Sequence, residues 1–146
     1  MNYLIKKHAK SFYWASFFLS KPVFNKCSSL YNFCRTLDDI VDDDKELEIK
    51  KNNFLKFKKD FINKDFDNPI IKEMWSVMDE ENISKHVVID LFDGVQTDLE
   101  EKVKINSKKE LLIYSYRVAG TVGLMMSKIL RVNNREALKG AIDLGI

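Results

Sequence analysis

The sequence predicts an all-α protein, and two observations lead to this fold class. The 146 residues include only two Pro and five Gly, the residues that most often interrupt helices. Apolar residues recur at three- and four-residue spacing along most of the chain, whereas strand-like alternation is nowhere sustained. The length and the lack of a Pro- or Gly-rich linker predict one domain, residues 1–146.

Six helical segments are predicted from these apolar faces and from their N-terminal signals. Pro22 suits the first turn of the first segment, and Asn68 with Pro69 forms a cap and first-turn pair for the third. Ser84 is the expected cap of the fourth, and Ser107 with Glu110 forms a capping box for the fifth. The predicted segments cover residues 22–43, 45–63, 68–78, 84–101, 107–130 and 134–146.

Composition and cysteine spacing exclude several classes of protein. A hydrophobic content of 45%, a charged content of 32% and a net charge of +2 are typical of a soluble globular protein that does not bind nucleic acid. The charge-free stretch 118–127 is about half the ~20 residues of a membrane span, and the N-terminus lacks a secretory signal. We therefore expect a cytoplasmic protein. Cys27 and Cys34 lie too far apart on one helix for a disulfide, and with His8 and His86 they form no zinc signature.

Four carboxylates at the end of the first helix form the strongest chemical signal. Asp38 shares a helix face with Asp42, and Asp39 shares another with Asp43. Like charges at this spacing repel, and the helix dipole adds a penalty at a C-terminus. Such a cluster suits Mg²⁺ ions that bridge to a diphosphate, and Arg35 is placed to bind phosphate oxygens. The alternative is a solvated acidic helix end.

A second signal is the stretch 114–123, which places two glycines inside a predicted helix. Gly120 and Gly123 lie on one face and allow a close approach to the backbone, by another helix or by an apolar chain in a tunnel. Tyr114 and Arg117 stand one turn earlier, within reach of a polar head group. Both alternatives stay open on spacing alone.

Two weaker signals complete the set of candidate residues. Asp98 follows Gly94 by about one helical turn, and it is interpreted either as a surface charge or cap or as a ligand-binding residue. Lys10, Ser11 and Phe12 place a cation and a hydroxyl beside aromatic residues. They form either a packed N-terminal segment or a lid that contacts diphosphate.

Together these stretches resemble the squalene and phytoene synthase family, in whose order they occur. The stretches are Lys-Ser-Phe at 10–12, Arg-x-x-Asp-Asp-x-x-Asp-Asp at 35–43, Gly-x-x-x-Asp-Leu at 94–99 and Tyr-x-x-x-Val-Ala-Gly-Thr-Val-Gly at 114–123. The last is the most specific, and the resemblance covers nearly the whole chain. Ala9 is a departure, because many relatives carry Ser there.

The resemblance implies an all-helical bundle of the isoprenoid synthase type around a central cavity. It implies an enzyme that joins two prenyl diphosphates head to head through a cyclopropyl intermediate. Asp38 and Asp42 would hold Mg²⁺, with Mn²⁺ as an alternative, and Asp39 and Asp43 would support them. The residues implied in catalysis or substrate binding are Lys10, Ser11, Phe12, Arg35, Asp38, Asp42, Asp98, Tyr114, Arg117, Val118, Ala119, Val122 and Gly123.

The resemblance also implies what lies beyond the sixth segment. Residues 141–146 resemble the lead-in to the family's second Asp-rich motif, and the apolar spacing of this segment continues to Ile146. We therefore expect a helix cut before that motif and a 146-residue chain that is inactive alone. The alternative is a short terminal helix that docks and ends there.

Several functions remain as alternatives at this point. Residues 123–126 and 129–132 resemble bacterial phytoene synthases, which implies geranylgeranyl diphosphate as substrate and carotenoid biosynthesis as the pathway. The alternatives are a farnesyl-using squalene or presqualene diphosphate synthase of hopanoid biosynthesis, another Asp-rich terpene enzyme, or a non-catalytic helical module that binds lipids or a partner. Peripheral membrane association and the oligomeric state stay open.

Overall fold

A computed structural model describes residues 18–100 and 105–144, and within these ranges the chain is helical without strands. The all-α prediction is therefore confirmed. The helices are α1 (Lys21–Asp42), α2 (Leu47–Ile62), α3 (Pro69–Glu80), α4 (Lys85–Gln96), α5 (Lys108–Ser115), α6 (Thr121–Ile129) and α7 (Arg135–Asp143). A 3₁₀ turn, Thr97–Leu99, follows α4, and a π turn, Tyr116–Gly120, joins α5 to α6.

Helix α1 is the centre of the bundle and packs against α2, α3, α4 and α6. Five phenylalanines form the aromatic cluster between α1, α2 and α4: Phe33, Phe54, Phe57, Phe61 and Phe92. Trp75 of α3 stacks on Phe61 with ring centroids 5.2 Å apart. Its indole N–H donates to the Phe61 carbonyl oxygen at 3.0 Å, which satisfies the polar atom of a buried ring.

The predicted helix starts agree with the observed caps. The side chains of Asn68, Ser84 and Ser107 each accept a hydrogen bond from a backbone N–H in the first turn of their helix. The Glu110 carboxylate completes the turn at α5 by accepting from the Asn106 N–H at 2.7 Å. Asn134 caps α7 in the same way through the Glu136 N–H.

Two helix ends and one helix interior differ from the sequence-based boundaries. The fourth segment tightens into the 3₁₀ turn because the Thr97 hydroxyl donates to the Gly94 carbonyl at 2.6 Å. The fifth contains the π turn, in which the Thr121 N–H reaches the Tyr116 carbonyl. Helix α7 ends at Asp143; residues 145–146 lie outside the described ranges, so the expectation of a helix continuing to Ile146 stays a prediction there.

Three residues that follow helix ends have the left-handed backbone conformation that glycine usually adopts there. Lys64, Asn82 and Arg131 have φ angles of 57°, 51° and 55° after α2, α3 and α6. The residue after each donates a backbone hydrogen bond five residues back, the arrangement that closes a helix C-terminus. In the described part of the chain, no helix is long and apolar enough to cross a membrane.

Candidate functional site

A cavity of about 340 Å³ lies between α1, α4 and the π turn with α6. Its apolar wall consists of Cys34, Leu37, Leu91, Val95, Val118, Ala119 and Val122. Asp38 and Asp98 complete the lining, and both are exposed, whereas Leu37, Leu91 and Val95 are buried. The space therefore has an apolar interior and a carboxylate mouth, and it is called the apolar cavity below.

The four aspartates at the end of α1 divide into two pairs with different surroundings. The Arg35 guanidinium binds the Asp39 carboxylate one helical turn later, at 2.7 Å. The Lys45 ammonium binds Asp43 at 2.6 Å, and this hydrogen bond holds the pKa of Asp43 below its usual value. Two of the four carboxylates thus already have a cation from the protein.

Asp38 and Asp42 form the other pair, and Asp38 lies at the mouth of the apolar cavity. Desolvation raises the pKa of the Asp38 carboxyl; the Arg35 charge opposes this, and the charges of Asp42 and Asp98 add to it. A carboxylate surrounded by other carboxylates gains from a cation that neutralises them. A cation bound at the mouth would therefore relieve the repulsion between Asp38 and its neighbouring carboxylates.

The donor set at this mouth fits a Mg²⁺ ion that the protein holds with only one or two carboxylates. Over residues 18–100 and 105–144, no group of three or more His, Cys, Asp or Glu side chains is arranged to hold a metal ion by itself. Mg²⁺ commonly takes one or two carboxylates and completes its octahedron with water and substrate phosphate oxygens. Asp38 and Asp42 match that requirement, whereas an all-protein cage does not fit.

Asp98, in the 3₁₀ turn at the mouth, is hydrogen-bonded to Tyr114 of α5. The Tyr114 hydroxyl donates to the Asp98 carboxylate at 2.8 Å. Burial and this hydrogen bond raise the pKa of Tyr114 to about 12. Tyr114 is therefore a neutral phenol at physiological pH, and its hydrogen is engaged by Asp98.

We expect Asp98→Asn to lower the pKa of Tyr114 to a value between 10 and 12. The amide removes the charge that disfavours ionisation, while the burial of the ring remains. The ¹³Cζ resonance of labelled Tyr114, followed against pH, measures this. The control is Asp93→Asn, because Asp93 pairs with Lys58 at 2.8 Å. An unchanged titration in Asp98→Asn would contradict the assigned hydrogen bond.

A second cavity of about 260 Å³, which has more charged side chains in its lining, lies beyond Tyr114. Arg117, Thr97, Glu100 and Glu110 line it together with Tyr114. The consecutive residues Arg117 and Val118 thus face different cavities. We call this space the polar cavity.

The remaining predicted site residues lie elsewhere. Gly123 faces α7, where a Cβ would overlap the carbonyl oxygen of Ala141. It therefore serves close helix packing and does not line the apolar cavity, in contrast to the prediction that it lines the channel with Val118, Ala119 and Val122. Lys10, Ser11 and Phe12 lie outside the described residues.

The structure adds four wall residues that the site prediction did not contain. Cys34 and Leu37 come from α1, and Leu91 and Val95 come from α4. Their signal in the sequence is three- and four-residue apolar spacing just before Asp38 and Asp98. That spacing indicates a buried face but does not distinguish a packed core from a cavity wall.

An all-helical fold with an apolar cavity and carboxylates at its mouth is typical of helical proteins that bind an apolar ligand whose anionic head is held through a cation. Comparison with known families agrees with this class. Residues 5–146 match the family described as "Squalene/phytoene synthase". The chain belongs to this family, and its fold is that of the isoprenoid synthases.

Curated relatives are similar over nearly the whole chain. Phytoene synthase of Rhodobacter capsulatus is 30% identical over 98% of this chain and 43% of its own length. The 15-cis-phytoene synthase of Pantoea ananas is 27% identical over 94% of this chain and 48% of its own length. The bifunctional lycopene cyclase/phytoene synthase of Leptosphaeria maculans is 30% identical over 86% of this chain and 25% of its own length. The chain spans less than half the length of these relatives.

Proposed function

We propose that this chain supplies the first carboxylate site and part of the prenyl channel of a prenyltransferase that condenses two prenyl diphosphates head to head. The apolar cavity beside Asp38 and Asp98, with Asp42 one helical turn after Asp38, carries the proposal, because a prenyl diphosphate has an apolar tail and an anionic head. The names of the relatives favour geranylgeranyl diphosphate as substrate and phytoene, a carotenoid precursor, as product.

The apolar cavity would bind a prenyl tail by excluding water from it. Each Å² of apolar surface removed from water contributes roughly 25 cal/mol, without any directional contact. Val118, Ala119 and Val122 supply one side of the wall, and the small Ala119 side chain leaves room between the two valines. The tail then extends away from the carboxylate mouth.

Asp38 and Asp42 would hold Mg²⁺, or Mn²⁺ in its place, at the diphosphate. When bound, the metal stabilises negative charge on the leaving diphosphate. Asp39 and Asp43 would support this site without binding the metal ion, because each already has a cationic partner on the protein. Arg35 would contact the diphosphate by exchanging part of its pairing with Asp39, since its guanidinium has several donors.

Tyr114 would contact the carbocation that forms during the reaction, whereas the metal ion and Arg35 would contact the diphosphate. Its hydroxyl hydrogen points to Asp98, so a ligand meets the oxygen lone pair or the ring face. Both are electron-rich, and an aromatic face attracts a cation. Because Tyr114 is neutral at physiological pH, it would stabilise positive charge without itself reacting as a phenolate.

Product analysis with the whole gene product tests this proposal. We expect Mg²⁺ and geranylgeranyl diphosphate to yield a C40 hydrocarbon, and EDTA to abolish it. A C30 product formed only from farnesyl diphosphate would reject the phytoene assignment and favour the squalene alternative. Metal-independent binding of prenyl diphosphates without turnover would reject the enzyme and favour a lipid-binding module.

We also expect the 146-residue chain alone to show no turnover. It matches less than half the length of its relatives, and within residues 18–100 and 105–144 no three His, Cys, Asp or Glu side chains are arranged to hold a metal ion. Incubation of the purified chain with Mg²⁺ and each prenyl diphosphate measures this. Turnover equal to that of the whole gene product would show that these residues form a complete site.

A further inference from the structure

Helix α4 and the π turn approach each other most closely at Gly94. Gly94 is buried, and a Cβ built on it would lie 2.7 Å from Arg117 Cβ and 2.9 Å from Val118 Cγ1. The same Cβ would lie 3.1 Å from the carbonyl carbon of Arg117. Real Cβ atoms essentially never lie closer than 3.0 Å to another heavy atom, and the 3.1 Å contact is itself tighter than most, so a larger residue requires the two elements to shift apart.

This contact is also the partition between the two cavities. Gly94 and Arg117 border the polar cavity, whereas the next residues on each element, Val95 and Val118, border the apolar cavity. The side chains that face a ligand are therefore carried by backbones that meet at Gly94. Tyr114 lies on the helix that enters the π turn, so its distance to Asp98 depends on the same approach.

The hydrogen bonds of the π turn differ from those of an α-helix at the point where the turn contacts α4. The wider turn leaves the Arg117 carbonyl to the Thr121 hydroxyl, which donates to it at 2.8 Å, while the Thr121 N–H bonds the Tyr116 carbonyl. Single π turns inside helices are frequent at functional sites, where they redirect side chains. Here the turn lies between the residues of the polar cavity and those of the apolar cavity.

We propose that Gly94 is a positioning residue, whose missing side chain lets the π turn lie against α4 so that Tyr114 reaches Asp98 and Val118 closes the apolar cavity. The geometric part concerns this chain by itself. The consequence for catalysis rests on the proposed function.

The test compares Gly94→Ala with Gly140→Ala. Both glycines are helical, but Gly94 is closely packed and Gly140 faces open space. A Cβ at Gly140 has no neighbour within 4 Å, so this control gains only helix propensity. We expect Gly94→Ala to lower the pKa of Tyr114 and to shift the methyl resonances of Val118 and Val122, all measured by NMR. In Gly140→Ala these signals stay at their wild-type values. Wild-type signals in Gly94→Ala would overturn the proposal.

A swap variant covers the case in which Gly94→Ala does not fold. Gly94→Ala combined with Arg117→Gly moves the missing Cβ from one element to the other and removes the closest clash. Contacts of 2.9 Å with Val118 Cγ1 and 3.1 Å with the carbonyl carbon of residue 117 remain, so we expect this double variant to fold by circular dichroism and to return the Tyr114 titration part of the way to its wild-type position. A swap variant as perturbed as the single one would show that the Cβ contact is not what matters, and would overturn the proposal.

The activity measurement separates this proposal from the proposed function. In the whole gene product we expect kcat of Gly94→Ala to fall by about 10²-fold with a smaller change in KM, because a misplaced group loses catalytic geometry. A rise in KM at constant kcat would overturn the positioning role. If the wild type shows no prenyltransferase activity while the NMR differences persist, the proposed function fails and the positioning of Tyr114 and Val118 stands.

Discussion

Phe92→Ala is expected to lower the free energy of unfolding by about 3–5 kcal/mol, the usual cost of truncating a fully buried Phe. Phe92 has no exposed surface and lies at the centre of the aromatic cluster. Its ring centroid is within 5.4–6.2 Å of the four other phenylalanines, on α1 and α2. Removing it leaves a hole between three helices that no single movement of one helix fills.

Urea denaturation followed by circular dichroism measures this effect, and the chain contains a matched control. Phe66 lies after α2 with 47% of its surface exposed, so Phe66→Ala is expected to change stability by less than about 0.5 kcal/mol. Because a domain of this size has about 5–15 kcal/mol in total, the Phe92 variant should show an early transition or none. Equal midpoints for the two variants would contradict the packing described for α1, α2 and α4.

Asp38→Asn should reduce turnover of the whole gene product by about 10³-fold or more. Charge stabilisation by a metal is worth several kcal/mol, and each 1.36 kcal/mol is tenfold in rate. Asn keeps the shape of Asp38 but loses the charge that, with Asp42, would hold Mg²⁺ at the diphosphate. We further expect the Mg²⁺ concentration for half-maximal activity to rise.

The control for this variant is Asp44→Asn, in the same acidic stretch. Asp44 is exposed beyond the end of α1 and does not line the apolar cavity. Its substitution removes the same charge and should change kcat less than about twofold, since only screened surface electrostatics is affected. If both variants lose activity equally, net negative charge rather than a specific Asp38 site is what the reaction requires.

The fold was predictable from sequence wherever the cause is local. Asn68, Ser84 and Ser107 cap helices through their own side chains, and such signals can be recognised within a few residues. Helix ends were harder, because Lys64 and Arg131 take the left-handed conformation that usually indicates glycine. Both are exposed side chains with contacts to distant residues, Lys64 over the Trp75 ring and Arg131 with Glu81, and single-residue preferences do not contain that information.

The π turn was not predicted, for a related reason. Its pattern of apolar residues is compatible with a continuous α-helix, which the sequence interpretation placed over 107–130. The extra residue in the turn is accommodated by contacts with α4 at Gly94 and with α7 through Gly120, whose Cβ position lies 3.3 Å from Ile142 Cγ2. Both contacts involve residues distant in sequence.

The candidate site was predictable as a set of residue types but not as an arrangement. Helical spacing shows that Asp38 and Asp42 share a face, but which pair turns toward a cavity depends on how α1 is rotated in the bundle. For Gly123, spacing allowed either a channel or a neighbouring helix, and α7 occupies that face. Asp98 looked like an isolated charge until the structure paired it with Tyr114.

Cys34 gives the apolar cavity an unusual chemical property. Burial, together with the nearby Asp38, raises the pKa of its thiol to about 12, so the thiol stays protonated at neutral pH. If the proposed prenyl diphosphate binds here, the wall meets it with a soft, polarisable sulfur and not with the more nucleophilic thiolate. The desolvation that makes the cavity apolar thus also lowers the nucleophilicity of its wall.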